Sequence, residues 1–414
     1  MNVYVYTDWS SEERQPRLAG TLYAAESGNR SAVSFAFSSE WLSSAESSLM
    51  LDPDLFYFEG RQYLPAGKQM FGLFSDSAPD RWGRTLIKRR EAISAEKEHR
   101  SPRNLTEIDY LLGVYDASRM GALRFSKEEG GPFLSDDQRL AAPPWTTLRE
   151  LEHASLAFES DDPDEEKWLN MLIAPGSSLG GARPKASVVS PDGSLWIAKF
   201  PSRHDSDDNG AWEMTIHDLA VMCGIQVPDA KLERFSEFGS TFLVKRFDRE
   251  MERRIHFESS MTLLGRTDGA SGSDGTSYLD LANFIKMYGN SDDLKELYRR
   301  IIFSVAVNNT DDHLRNHGFL MAGNSWRLSP AYDINPNPYH SGLSLNISET
   351  DNRAQYSTVS GVSDLFNIPK DEADHDIQEI QNTVAENWEK IAKSHGISSR
   401  SIRDMSPAFN PEYK

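Results

Sequence analysis

"NNTDDHLRNHGFL", residues 308–320, places two carboxylates, two histidines, an arginine and three asparagines directly after the apolar run "IIFSVAV" (301–307). The apolar spacing of "LYRRIIFSVAVNN" suits a buried helix, so the polar cluster falls where that helix ends. A buried helix can hold such a loop rigidly. Asp311 and Asn316 stand five positions apart. A plainer reading, a capped helix end rich in Asp and Asn, fits the same residues.

Five residues is also the separation of two groups in phosphoryl-transfer loops, an Asp that takes a hydroxyl proton and an Asn that holds Mg2+. Three further stretches suit that chemistry. "WRLSPAYDINPNP" brings Asp333 out of an expected strand, and Mg2+ needs only one or two protein oxygens, here Asn316 and Asp333. "GSSLGGARPKASVV" (176–189) sets a Ser- and Gly-rich turn before a strand; Gly180 and Gly181 can take positive φ and let backbone N–H groups approach phosphates. It matches neither standard glycine fingerprint, and an ordinary hairpin turn remains open. "SLWIAKFPSR" puts Lys199 in an apolar strand, where it either snorkels outward or meets phosphates. Glu213, in the helical "AWEMTIHDLAVMCG", is placed to pair with it. The order of these elements is that of a kinase.

Length and composition set the frame. At 414 residues the chain exceeds one hydrophobic core, so two or three packed units are expected, and 38% hydrophobic residues supply them. "NVYVYT", "SAVSFAF", "KASVVS", "SLWIAKF" and "TFLVKRF" read as strands, and "SDSAPDRWGRTLIKRREAISAEKEH", residues near 211–223, "YLDLANFIKMYG" and "DLKELYRRIIFSVAVNN" as helices. "ESDDPDEE" (159–166) reads as an acidic surface loop. The Gly- and Ser-rich "GRTDGASGSDGTS" (265–277) reads as a mobile stretch at a seam near 250–275. The single cysteine, Cys223, is expected to be a buried small residue. With no secretory pattern at the N-terminus and no long apolar run, a cytoplasmic chain without membrane contact is expected. A formal charge of −19 disfavours direct binding to a phosphate backbone.

In combination, "APDRWGR" (78–84), "GALRF" (121–125), "SSLGGARPKA" (177–186), "WIAKFP" (196–201), "GIQVP" (224–228), "LVKRFDR" (243–249), "NTDDHLRN" (309–316) and "LSPAYDI" (328–334) make the chain resemble the HipA family over nearly its full length. These are serine/threonine kinase toxins of bacterial toxin–antitoxin modules. The resemblance implies an α+β, protein-kinase-like, two-lobed fold. Its parts would be an N-terminal α/β subdomain (1–126), an ATP-binding lobe (127–250) and an all-helical C-terminal lobe (251–414). It implies Asp311 as catalytic base, and His313 and Asn316 near the nucleotide. Asp333 would be the second Mg2+ ligand, with Tyr332 beside the nucleotide and Lys199 on the phosphates. The glycine-rich loop would be 178–185, with Ser178, Leu179, Gly180, Gly181, Ala182 and Lys185 among the ATP contacts, and Lys245 to Phe247 would hold adenine by backbone groups.

Autophosphorylation is implied at Ser178, with Ser177 as its neighbour. ATP and Mg2+ are the implied cofactors. The implied partners are a protein substrate with a Ser or Thr acceptor and a HipB-like helix-turn-helix antitoxin, with DNA reached only through that antitoxin; a dimer within such a complex is admitted. Targets in the family include aminoacyl-tRNA synthetases and other translation components. Asp312 departs from the pattern: beside Asp311 it would have a raised pKa, and so is expected to face solvent or a third partner. Two alternatives stand beside the kinase: a catalytically silent nucleotide- or antitoxin-binding scaffold, and a metal-dependent phosphohydrolase built on Asp311, Asp312 and His313. The second leaves the glycine turn and Lys199 unexplained.

Overall fold

The structure, a computed structural model, describes residues 1–9, 15–27, 30–44, 49–160, 164–176, 181–251, 253–339 and 342–410. The chain forms two compact units, Met1–His204 with Leu243–Glu258, and Asp205–Phe242 with Ser259–Lys414. Its last passage between them, after Glu258, lies inside the stretch 250–275.

In the first unit, the alternating apolar residues near the N-terminus form β1 (Asn2–Thr7), β2 (Arg17–Ser27) and β3 (Arg30–Phe37). With β4 (Gln62–Tyr63) and β5 (Leu123–Ser126) they make an antiparallel sheet in the order β4-β3-β2-β1-β5. The period of two turns Val3, Val5, Leu22, Ala24, Val33 and Phe35 inward. There Phe35 meets Phe74 edge-on, with ring centroids 5.2 Å apart. Only glycine fits at position 20, because a Cβ would lie 2.2 Å from the Ala36 carbonyl oxygen across the pair.

The helix expected after Pro79 is α1 (Arg81–Lys97), and Asp80 caps it by accepting from the Gly83 amide at 3.1 Å. It is followed by α2 (Glu107–Gly113), α3 (Leu148–Phe158) and α4 (Glu165–Gly176), with α4 packed on both α1 and α3. "KASVVS" and "SLWIAKF" become the antiparallel pair β6 (Lys185–Val189) and β7 (Leu195–Lys199), and β8 (Thr241–Lys245) lies beside β7.

Directly after β8, the "LVKRFDR" motif closes on itself and on "GALRF". Asp248, with no exposed surface, accepts from Arg246 at 2.8 and 2.5 Å, from Arg249 at 2.7 Å and from the Gly121 amide at 2.8 Å. Arg246 also donates to the Ser118 and Arg119 carbonyls at 2.6 and 3.0 Å. Burial alone would raise the Asp248 pKa; the two guanidiniums outweigh it and hold the carboxyl at about 2.

The second unit is mostly helical: α5 (Asn209–Met222), α6 (Tyr278–Tyr288), α7 (Asp292–Val307), α8 (Lys370–Ser394) and α9 (Ser399–Met405). It also carries a hairpin of β9 (Gly318–Ala322) and β10 (Ser325–Leu328); β10 is the strand expected before Asp333, and the pair is an addition to the all-helical lobe that the family resemblance implied. α7 is the central element: all seven residues from Ile301 to Val307 are buried, and α6 and α8 pack against the helix. On α5 the Trp212 indole donates to Ser401 Oγ at 3.0 Å. Cys223 is buried, as expected, and burial pushes its thiol up to about 12.

Within the stretch 265–277, expected to be mobile, Gly272 and Thr276 are tied to the segment 344–346 by two main-chain bonds and one side-chain bond. Gly272 donates its amide to Ser344 O at 2.7 Å, Asn346 donates its amide to Thr276 O at 3.0 Å, and Asn346 Nδ2 reaches Gly272 O at 2.9 Å. The lack of a side chain on Gly272 permits this approach, since a Cβ would lie 2.5 Å from Asn346 Oδ1. Among the described residues no helix is long and apolar enough to cross a membrane.

Replacing Asp248 by Ala strands buried guanidiniums and should cost about 3–5 kcal/mol, read by urea unfolding. A carboxylate whose pKa is depressed on folding contributes stability above its unfolded pKa of about 3.9 and loses it as pH falls. The gap between wild type and Asp248→Ala should therefore narrow from pH 4 towards about 2.

Candidate active site

α7 stops at Asn308, which takes the left-handed conformation with φ +53°. From there three residues are stitched to the segment beyond Asp333. Asn308 donates its side-chain amide to Asn337 O and accepts from the Asn337 amide at 3.1 Å. Asn309 Oδ1 accepts from the Asn335 amide at 3.2 Å, and Thr310 Oγ1 accepts from Asn337 Nδ2 at 2.8 Å. Ser344 Oγ donates to Thr310 O at 2.8 Å. The two polar loops are thus one piece.

The five-residue spacing then closes a turn. Asp311 O accepts both the His313 amide and Asn316 Nδ2 at 3.0 Å, while the Asn316 amide reaches His313 O at 2.8 Å. Asp311 itself is exposed, and His313 and Asn316 are half-buried. His313 Nδ1 is buried and has no hydrogen-bond partner among the described residues.

Asp312 points the other way, and the two expectations for it part company. It does not face solvent: it is 4% exposed. Its Oδ2 accepts from the Tyr278 hydroxyl at 2.5 Å and from Ser304 Oγ at 3.3 Å. His317 Nε2 lies 3.0 Å from its Oδ1, within ion-pair reach but off the line of a hydrogen bond. Burial would raise its pKa, but the His317 imidazole and the two hydroxyls bring it below the usual carboxylate value, not above it. The third-partner reading is the one that holds.

Asp333 also has positive φ, +58°, a conformation that short polar side chains tolerate better than most. Next to it the Tyr332 hydroxyl donates to Arg315 O at 2.8 Å, a further tie between the loops. Behind them, Glu296 Oε1 accepts from Arg300 Nε at 2.7 Å and from the Gln226 amide at 3.0 Å, and Gln226 O accepts from the Ala331 amide at 2.7 Å. This gives "GIQVP" its role as the support of "AYD". Sequence reasoning missed Tyr278, His317, Asn335, Asn337 and Glu296; the Asn-rich "INPNP" was the one visible signal.

The other expected residues are spread over both units. In the first unit Lys199 is the half-buried last residue of β7, directly across the pair from Lys185. Gly181 has φ +87°, as its place in the turn requires, and Ala182 is exposed. The Lys185 ammonium, 3% exposed, lies 3.2 Å from Asp80 Oδ2, so its charge is met by a residue outside the expected ATP contacts. Lys245 and Phe247 are half-buried, and Phe247 packs on Phe257 with ring centroids 5.9 Å apart. Ser177, Ser178, Leu179 and Gly180 lie outside the described residues. Glu213, half-buried, belongs to the second unit, on α5.

The sequence profile of the HipA-like C-terminal domain matches residues 177–388, just over half of the chain. The chain belongs to that family. A Sinorhizobium fredii protein named "Putative kinase Y4dM" is 30% identical over 267 residues, which are 60% of this chain and 61% of that protein. A Haemophilus influenzae protein with the same kinase designation is 27% identical over 191 residues, 40% of this chain and 54% of that one. The chain thus spans between about half and three fifths of these relatives. Among solved structures, a chain of the Shewanella oneidensis MR-1 complex of HipA, HipB and operator DNA superposes with a TM-score of 0.65 at 15% identity, over 98% of this chain and 96% of that one. The fold is therefore the HipA fold, a mixed α/β architecture.

The donor chemistry of the loops suits a magnesium–nucleotide pair. Asn316 commits its amide nitrogen to Asp311 O, so its carboxamide oxygen is the atom that could serve a metal, and Asp333 could add a carboxylate; Mg2+ takes few, hard oxygen ligands. The other acidic cluster, His375, Asp376 and Glu379 on α8, is already met by the Arg299 guanidinium, which bonds Asp376 and lies 3.5 Å from Glu379.

If Asn337 holds the Asp311 loop, Asn337→Ala removes its bond to Thr310. The loop amides from 308 to 312 should then exchange with deuterium roughly fivefold faster, the effect of one hydrogen bond of about 1 kcal/mol. Unchanged exchange there would show that the stitch carries no weight.

Proposed function

We propose that this protein is an ATP- and Mg2+-dependent serine/threonine protein kinase of the HipA type. The observation that carries the proposal is the closed Asp311–Asn316 turn, clamped by asparagines to the loop bearing Asp333. That arrangement holds a candidate base and two candidate metal ligands in fixed register, and it leaves the Asp311 carboxylate exposed, where a substrate hydroxyl can reach it.

In this reading Asp311 accepts the proton of a serine or threonine hydroxyl as that oxygen attacks the γ-phosphorus of ATP, and ADP leaves. Asn316 and Asp333 hold the metal ion, which when bound neutralises charge on the phosphates. Lys199 and the loop 178–185 hold the nucleotide, with Glu213 orienting Lys199, His313 and Tyr332 beside the nucleotide, and Lys245 to Phe247 at the adenine. Asp312 stays out of the chemistry: its carboxylate is buried on Tyr278 and His317, which weighs against a phosphohydrolase built on adjacent carboxylates. A HipB-like antitoxin is the proposed partner, in keeping with the Shewanella complex, and a translation component is the proposed target class.

Incubating purified protein with labelled ATP and Mg2+, then mapping phosphopeptides, tests this directly. Wild type should transfer phosphate to itself at Ser178 or Ser177, and Asp311→Asn should lose about 10^3-fold or more in rate while still binding ATP. Nucleotide binding with no transfer by wild type would favour the silent scaffold. Transfer by Asp311→Asn at the wild-type rate would remove Asp311 from its role.

A further inference from the structure

The "APDRWGR" motif lies about a hundred residues before the glycine-rich turn and has no part in the chemistry above, yet three of its contacts end on that turn. Asp80 divides its carboxylate: Oδ1 caps α1 through the Gly83 amide, and Oδ2 lies 3.2 Å from the Lys185 ammonium, with both side chains 3% exposed. The Trp82 amide donates to Gly181 O at 3.3 Å, and the Trp82 indole donates to Lys185 O at 3.0 Å. On the entering side α1 presses directly on the chain, since a Cβ at Gly176 would lie 2.8 Å from Leu86 Cδ1 and 2.9 Å from Trp82 Nε1. The first residue before the turn and the limb after it are therefore both seated on the start of one helix.

We infer that Asp80 and Trp82 are positioning residues for the nucleotide, acting through Lys185 and Gly181 to hold the limb 181–185 of the glycine-rich turn in its binding geometry. The inference rests on the nucleotide role proposed for that turn. Its physical basis is the cost of a loose loop: a glycine-containing segment left free must be ordered when ligand binds, and a mount removes that entropy beforehand. Two kinds of bond do the mounting. The ion pair is buried, so its strength is little screened, and the indole–carbonyl bond fixes the chain direction at Lys185, the first residue of β6.

Two variants isolate the two bonds in the full-length protein. Trp82→Phe keeps an aromatic ring on the side of Phe158, whose centroid lies 5.7 Å from the indole, and deletes the N–H donor together with part of the indole's volume. Asp80→Asn keeps an oxygen for the Gly83 cap and removes the partner of Lys185. With Mg·AMP-PNP as the probe in calorimetry, the dissociation constant should rise about fivefold for Trp82→Phe and about tenfold or more for Asp80→Asn. The turnover at saturating ATP should stay within about twofold of wild type, because the loop acts on nucleotide binding. Deuterium exchange at amides 181–189 should speed up in both variants without any ligand. Should Asp80→Asn fail to fold, Trp82→Phe decides alone.

Wild-type affinity and wild-type exchange in a folded Trp82→Phe would overturn the mount and leave the kinase reading standing. Faster exchange at 181–189 with unchanged affinity would overturn the link to nucleotide. Failure of the wild-type protein to bind Mg·AMP-PNP would overturn the nucleotide reading itself and this inference with it.

Discussion

The site depends first on how a buried helix is made to stop. α7 cannot run on into solvent without exposing its apolar side chains, and Asn308, in the left-handed conformation, turns the chain within one residue. Beyond that turn the loop is held by side-chain amides. Asn308 and Asn337 each donate a side-chain amide proton, and Asn309 accepts one from a backbone N–H, to join two segments some 25 residues apart, while Asn316 closes the turn within the first of them. An amide carries no charge and no pKa in the working range, so these bonds do not depend on protonation state. These holding bonds between the two loops thus come from amides, hydroxyls and the backbone, not from the Asp311 carboxylate.

The first unit uses the opposite device. Its long-range ties are charged and buried: Asp248 gathers two arginines and the Gly121 amide, and Asp80 meets Lys185. Such pairs contribute little net stability against an apolar alternative, but removing one partner is costly, so they specify which segments meet. That explains why the motifs come in widely separated couples. "LVKRFDR" is chemically incomplete without "GALRF", and the turn at 181–185 without "APDRWGR". Each couple fixes a crossing of the chain that periodicity alone would leave open.

These differences decide what could be read from the sequence. Apolar periodicity is a local signal, and it gave α7, β6 and β7 to within two residues, while the cap, proline and charged tail that marked α1 placed its start six residues early. The Asp311–Asn316 spacing is also local, and the structure closes it with one bond from Asn316 Nδ2 to Asp311 O. Partners far along the chain were not legible. Nothing in "TDDH" says that Asp312 turns inward onto Tyr278 and His317 while its neighbour turns outward; adjacent carboxylates suggested repulsion, and the backbone resolved it by sending them to opposite sides. The stretch 265–277 misled for a related reason. Its composition describes side chains, whereas its ties use its own backbone amides and carbonyls, groups that its composition does not reveal, paired with Ser344 and Asn346.

Asp333 shows the same tension between backbone and side chain at a single position. With φ at +58° an L-residue bears a strain of about 1 kcal/mol that glycine would not. The surroundings hold it there: Tyr332 on one side is bonded to Arg315 O, and Asn335 on the other to Asn309 Oδ1. For the fold alone, glycine would be the better residue at 333. On the proposed reading the carboxylate is kept against that local cost for its chemistry. In that reading its place on the loop stitched to Asp311 and Asn316 matters, since a hard oxygen there would join Asn316 as the few ligands that a magnesium–phosphate pair takes from protein.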